Sequence, residues 1–192
     1  MHPLHFTGLE DGPIHIRPLT DSDSDVATMA RWLTDERVLE YYEGRDNPFD
    51  EARIRAVYLG SKDPWEYACL VEHEGRPIGY IQFYQIVGEE LEAYGYNPNL
   101  TVYGMDQFIG EPNFWNRGIG TRMIRMVLNY LFDVAGARRV AMDPHTRNTR
   151  AIRAYEKCGF RKVQILKAHE LAEGVWQDCW LMEVSPDTFL DQ

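Results

Sequence analysis

The sequence predicts an α/β (α+β) domain built on a mixed, mostly antiparallel sheet, and three features lead there. Residues 102–109 read as a strand, 114–121 as a glycine loop, and Ile119, Met123, Val127, Tyr130 and Val134 then recur at helical spacing to about Ala135. Residues 139–143 form a short strand after that helix, and a helical connection makes it parallel to the strand before it. Residues 65–72 with 77–87, and 160–166 with 175–184, read as antiparallel hairpins. The expected architecture is therefore one parallel central pair inside antiparallel surroundings.

The elements follow in order. Residues 1–12 are polar, carry Gly8 and Gly12, and read as a loose N-terminal leader to a single domain spanning 13–192. Residues 14–19 are a first strand, with Pro18 placing it near an edge. Residues 20–23 offer helix caps, and Val26, Met29, Ala30 and Leu33 define a helix ending near Asp35. Residues 37–43 suggest a second short helix, and 48–50 open a third that runs to about Leu59. On the strand 77–87, side chains alternate, so Ile78, Tyr80, Gln82 and Tyr84 share one face, either a substrate wall or a solvated outer face. Residues 88–99 are a long acidic, tyrosine-bearing loop, either functional or a solvated linker. A helix over 148–158 has Asn148 as its cap. On the last strand, Trp176, Asp178, Trp180 and Met182 share a face, so Asp178 is either a cation-binding spot or an edge residue facing water.

The order strand, glycine loop, helix N-terminus aims unpaired backbone N–H groups and the positive end of a helix dipole at one place. An anion such as a pyrophosphate fits there, and glycines let the backbone approach it. The loop lacks the Gly-Lys-Ser/Thr of a Walker A motif. Only Gly118 and Gly120 are present, so it is no three-glycine dinucleotide loop either. Two glycines before a helix are equally compatible with a plain tight turn.

At 192 residues, 44% hydrophobic and 12% aromatic, the chain is long enough for one proper core. It contains no apolar run of the roughly 18 residues a membrane span needs, and no signal peptide is apparent. The odd count of three cysteines, Cys69, Cys158 and Cys179, suits a reducing cytoplasm. The formal net charge of −10 argues against nucleic acid or an anionic membrane as the main partner and suits a cationic ligand. No metal is expected. The histidines do not cluster in sequence, and 169–173 lacks the second His of a zinc helix.

Arg117-Gly118-Ile119-Gly120-Thr121 ahead of an amphipathic helix resembles the pyrophosphate loop of the GCN5-related N-acetyltransferases (GNAT). Asn148-Thr149-Arg150-Ala151-Ile152-Arg153-Ala154-Tyr155, closed by Gly159-Phe160, is similar to that family's second signature. One departure is Trp115, where the family often has Gln or Arg. The resemblance implies the GNAT fold, with its parallel central pair splayed and helices on both faces of the sheet, and acetyl-CoA as cofactor. Its binding positions would be Phe108, Ile109, Asn116, Arg117, Gly118, Ile119, Gly120, Thr121, Asn148, Ala151 and Tyr155.

The chemistry implied is acyl transfer to an amine, which must lose a proton before it attacks a thioester. Asp106, on the strand leading into the loop, is the choice for base or for ammonium anchor. An ordinary Asp, with a pKa of about 3.9, is a weak base unless burial raises it. Tyr155 is the choice for proton donor to the leaving thiolate, or else ordinary core. A backbone N–H near Phe108 or Ile109 would stabilise the oxyanion.

Residues 32–40, 102–113 and 150–155 also resemble aminoglycoside 6′-N-acetyltransferases, including the acetyltransferase half of bifunctional acetyltransferase–phosphotransferase resistance enzymes. That resemblance implies a base at Asp106, an acid at Tyr155 and a drug-amine contact at Asp143. It places drug-binding positions at Tyr41, Tyr42, Gln82 and Asp178, beside the proposed wall residue Tyr80. The implied partner is a cationic aminoglycoside, and the implied assembly a monomer or weak homodimer. Two alternatives stand beside this: the same fold acting on a siderophore precursor or protein amine, and a non-catalytic acetyl-CoA-binding module.

Overall fold

The computed structural model describes residues 6–60 and 65–189. Residues 1–5 of the expected leader lie outside the described residues. Leu9–Asp11, expected within that leader, instead form strand β1, paired antiparallel with β2 (Ile14–Pro18). Ile14 and Ile16 are buried, so their inward face sets the register in which β1 adds as a short edge. Pro18 pairs with Cys69 of β3 (Tyr67–His73), beyond the end of β1, where its missing N–H costs nothing on the outer side.

Helices α1 (Asp23–Trp32), α2 (Glu36–Leu39) and α3 (Glu51–Tyr58) begin at Ser22, Asp35 and Asp50, each accepting a backbone N–H at the helix start. The first helix stops earlier than its apolar pattern suggests. The Asp35 cap restarts the chain as α2, and the Thr34 hydroxyl takes the carbonyl of Ala30. Strand β4 (Arg76–Ile86) follows β3 through Glu74-Gly75, both with positive φ (52° and 76°), as a two-residue hairpin turn requires. The stretch 88–99 is not all loop. It holds helix α4 (Gly88–Ala93), fastened by buried Leu91 and Tyr94. Strand β5 (Val102–Ile109), helix α5 (Ile119–Asp133), strand β6 (Arg139–Met142) and helix α6 (Thr149–Glu156) follow as expected, within a few residues.

Strand β7 (Arg161–Ala172) runs six residues past its expected end at 166 and pairs in a hairpin with β8 (Val175–Val184). It is the terminal strand of the sheet, and almost all of its residues are exposed, so its sequence carries little hydrophobic alternation to read. The eight strands run in the order β1-β2-β3-β4-β5-β6-β8-β7. β5 and β6 pair in parallel, Val102 opposite Arg139 and Gly104 opposite Ala141, while β6 and β8 pair antiparallel. This is the mixed, mostly antiparallel sheet with one parallel pair that the sequence predicts.

The chain divides into two compact units. One comprises Met1–Gln82, Gln107–Ile119 and Ala172–Val175, and its core gathers Val26, Met29, Trp32, Leu39, Ile54, Tyr80 and Phe108. The other comprises Phe83–Asp106, Gly120–Leu171 and Trp176–Gln192, with a core cluster of Ile86, Leu91, Tyr94, Val102, Ala141 and Leu181. Among the described residues, no helix is long and apolar enough to cross a membrane.

Candidate active site

The loop before α5 is shaped by what packs under it. At Gly110 a Cβ would fall inside the Trp32 indole, so only glycine lets the chain leave β5 there. Trp115, the departure from the GNAT pattern, donates its indole N–H to the carbonyl of Ile109 at 2.7 Å and so braces the start of the loop. Asn116 and Gly118 both have positive φ (59° and 78°), conformations that Asn tolerates and Gly adopts freely. Above Gly118 and Gly120 a Cβ would meet nothing within 4 Å, so the backbone faces open space. No acid stands in the first turn of α5 to occupy its N–H groups. Arg117 is exposed, its guanidinium 5.2 Å from the centre of the Phe114 ring. Open backbone donors, a helix dipole and a nearby cation fit the pyrophosphate of coenzyme A.

Several predicted contacts play other parts. Phe108 is 9% exposed and its ring lies 5.6 Å from Tyr80 and 4.8 Å from Tyr42, so its side chain is core and only its backbone remains for a ligand. Tyr80 is fully buried, which removes it as a wall residue. Its hydroxyl donates to Gln82 Oε1 at 2.6 Å and holds that half-buried amide. Tyr41 is exposed at 39%. Asn148 caps α6 by accepting the Ala151 N–H at 3.2 Å, so both groups serve the helix start. Tyr155 is 8% exposed, its ring 5.9 Å from that of Phe160. The Cys158 thiol donates to the carbonyl of Thr121, tying the end of α6 to the first turn of α5.

The second unit holds a cluster of acids and phenols. Asp106 is half-buried on β5, two residues after Gly104, where a Cβ would come within 2.6 Å of the Tyr84 ring. Burial first, and then the charges of Asp106, Asp143 and Glu90, push the Tyr84 phenol far above its ordinary value. Tyr94 donates its hydroxyl to Asp143 Oδ2 at 2.8 Å, and His169 Nε2 meets the same oxygen at 2.8 Å. Burial works to raise the pKa of Asp143, but the bonds from His169 and Tyr94 outweigh it and hold the carboxylate below its usual range. The bond to Asp143 in turn raises His169, against its partial burial. Glu90 is raised by shielding of its carboxyl, although the residue as a whole is exposed, and then by the Asp143 charge. Tyr94 also feels Asp143, Glu90 and Asp106 once burial has raised it. Three carboxylates, two phenols that stay protonated and one imidazole make a place of negative potential with hydrogen-bonding walls. An organic ammonium matches it in charge and donors.

Asp143 and Asp106 are thus brought into one cluster. Tyr84, Tyr94 and Glu90 join them from the face and the acidic stretch that the sequence marked without assigning roles. His169 had no signal, because it is brought to Asp143 by β7, an exposed edge strand. Asp178 carries its own cation: Lys167 Nζ stands 2.6 Å from one carboxylate oxygen and the Ala168 N–H 3.0 Å from the other.

The acetyltransferase (GNAT) domain family matches residues 21–168 of the chain. Aminoglycoside N(6′)-acetyltransferase type 1 of Klebsiella pneumoniae is 29% identical over 145 residues, covering 73% of this chain and 71% of the relative. Among solved structures, AAC(6′)-Ib in complex with ribostamycin and coenzyme A superposes with a TM-score of 0.71 at 23% identity, over 91% of this chain and 94% of that one. Spermidine N-acetyltransferase of Vibrio cholerae, in complex with CoA and spermine, gives 0.75 at 18% identity, over 94% and 100%. At these identities the solved structures speak for the fold.

Proposed function

The chain belongs to the GNAT acetyltransferase family, and we propose that it acetylates the 6′ amine of aminoglycoside antibiotics by direct transfer in a ternary complex, an activity that confers resistance. It is an acetyltransferase, and acetyl-CoA is its cofactor. The observation that carries the choice of acceptor is the cluster of Asp106, Asp143 and Glu90 walled by Tyr84 and Tyr94. Aminoglycosides are polycationic sugars, and carboxylates for ammonium groups beside phenols for hydroxyls suit them.

Bound acetyl-CoA supplies an activated acyl carbonyl and a thiol leaving group. The chain's own residues handle binding and protons. Asp106 holds the reacting ammonium and accepts its proton, directly or through one water, before the freed amine attacks and the C–N bond forms. Asp143 and Glu90 hold further ammonium groups of the same substrate. The Tyr155 hydroxyl returns a proton to the sulfur as the C–S bond breaks. A backbone N–H near Phe108 or Ile109 meets the carbonyl oxygen as charge develops there. Acetylation removes one positive charge, and a drug whose hold on ribosomal RNA rests on charge is thereby weakened.

A linear polyamine is the second reading. The cluster recognises charge above all, and a spermidine acetyltransferase shares the fold. Thiol release from acetyl-CoA tests the choice, with kanamycin, a paromomycin-type acceptor bearing a 6′ hydroxyl, and spermidine. Turnover with kanamycin alone supports the proposal. Equal turnover with the 6′-hydroxyl acceptor moves the reaction off the 6′ position. Turnover with spermidine alone replaces the acceptor.

A further inference from the structure

His145, Glu170 and Cys179 come from three separate stretches of chain: the loop after β6, strand β7 and strand β8. The fold gathers their donor atoms beside the Asp143–His169 pair, and none of the three has been given a role above. His145 sits directly opposite Cys179 in an antiparallel bridge. The bridge is clamped on both sides, by the Trp180 N–H on the Pro144 carbonyl at 2.9 Å and the Thr146 N–H on the Asp178 carbonyl at 2.9 Å. Directly opposed residues carry Cβ atoms about 5 Å apart and project to one face of the sheet. Glu170, on the neighbouring strand, places Oε2 2.7 Å from His145 Nε2. One imidazole nitrogen, one carboxylate oxygen and one thiol sulfur all lie within 4.8 Å of one another.

We propose that these three side chains form a divalent-metal site, and that its ion is zinc. Around a tetrahedral zinc with bonds of about 2.0–2.3 Å, donor atoms stand roughly 3.5 Å apart. The donors here, all within 4.8 Å of one another, would reach that spacing by side-chain movement, with the 2.7 Å His145–Glu170 pair opening slightly. The mixture of one soft sulfur with imidazole and carboxylate selects zinc over magnesium or calcium, which prefer all-oxygen shells. Three protein donors leave a fourth position for water.

The placement is preorganised. Cys179 is fully buried, the His145 side chain is 10% exposed and that of Glu170 46%, so the ion would bind at the rim of the sheet, with entry from the Glu170 side. Two of the three donors stand on regular strands and the third on a backbone bridge, which holds them better than a free loop does. The surroundings are also anionic, since the charges of Asp143, Glu170 and Asp178 all reach Cys179. Proton balance is simple. The Cys179 thiol releases one proton to solvent as the zinc–sulfur bond forms, and the His145–Glu170 hydrogen bond gives way to the ion. The sequence hides this site because its donors lie 25 and 9 residues apart in sequence order (145 to 170, 170 to 179), a spacing that matches no short metal motif.

Cobalt(II) titration of the metal-free protein reads the site directly. The expected result is one equivalent of cobalt giving a thiolate-to-cobalt charge-transfer band with tetrahedral visible bands, all erased by one equivalent of zinc. Cys179→Ser should abolish the charge-transfer band, while a Cys69→Ala/Cys158→Ala double variant should keep it. Glu170→Gln changes a half-exposed side chain, so it leaves folding intact even where Cys179→Ser does not. It should weaken cobalt at least about tenfold, because even partners outside the ligand shell cost that much. Absence of the band in the wild type overturns the proposal, and so does a band whose strength survives Glu170→Gln.

Discussion

Asp143 and Asp178 are two carboxylates that the resemblance to aminoglycoside acetyltransferases treats alike, and their surroundings differ in kind. Asp143 is held by a phenol and an imidazole, inside a group with two further acids. Asp178 is held by a lysine ammonium and a backbone N–H on an exposed hairpin. The phenol is neutral, and the imidazole, though Asp143 favours its charged form, can give up its proton, so Asp143 can be left to hold an incoming cation. Lys167 is a permanent cation that already occupies Asp178. A carboxylate's use as an amine site therefore depends less on its exposure than on the permanence of its partner's charge.

The comparison can be pressed by substitution, starting where the effect is largest. Asp106→Asn should leave a folded protein whose kcat falls by roughly 10²–10⁴, the usual worth of a positioned acid–base group. Initial rates of thiol release, with circular dichroism as a folding check, measure it. If Asp106 is a base, the pH–rate profile also loses its acidic limb, whereas a pure ammonium anchor raises KM and leaves the limb in place.

Asp143→Asn comes next. Hydrogen bonds to charged groups are worth about 1.5–3 kcal/mol, so KM for the amine should rise roughly 10–100-fold with a smaller change in kcat. Titration calorimetry with an unreactive acetyl-CoA analogue separates binding from rate.

The third test concerns pH. The bond to Asp143 raises His169, so that residue's contribution to stability is complete below the ordinary histidine value. It is lost as pH climbs through the raised one. Asp143 is lowered, so its contribution is complete above the ordinary carboxylate value and lost as pH falls through the depressed one. Together they predict that the thermal midpoint declines on the alkaline side of the ordinary histidine value. His169→Gln should flatten that decline. The groups facing His169 are Asp143, Glu170, Glu90 and the Tyr94 phenol, whose ring lies 6.1 Å away.

Asp178→Asn should have the smallest effect, changing KM for the amine by no more than about twofold, because an exposed ion pair contributes little. A large rise in KM would erase the distinction between the two carboxylates.

Much of this was legible in the sequence where one local rule decides. The β5-loop-α5 stretch announced itself through Gly118, Gly120 and the periodic apolar residues behind them, and Asn148 through its capping position. Residues whose roles depend on which neighbour the fold delivers were not legible. Tyr80 had the right alternation for a wall, yet tertiary packing placed it against Phe108 in a core. His169 and the full length of β7 stayed hidden because an edge strand exposed along most of its length has no hydrophobic period. Helix α4 was masked by its acidic, tyrosine-rich composition, and two buried contacts, Leu91 and Tyr94, fasten it.

Initial-rate kinetics comparing kanamycin with spermidine test the central claim most directly. A cluster that reads a polycationic sugar predicts kcat/KM higher for kanamycin by at least about a hundredfold, or roughly 2.7 kcal/mol of transition-state discrimination. A ratio near one, or one favouring spermidine, would contradict the aminoglycoside reading.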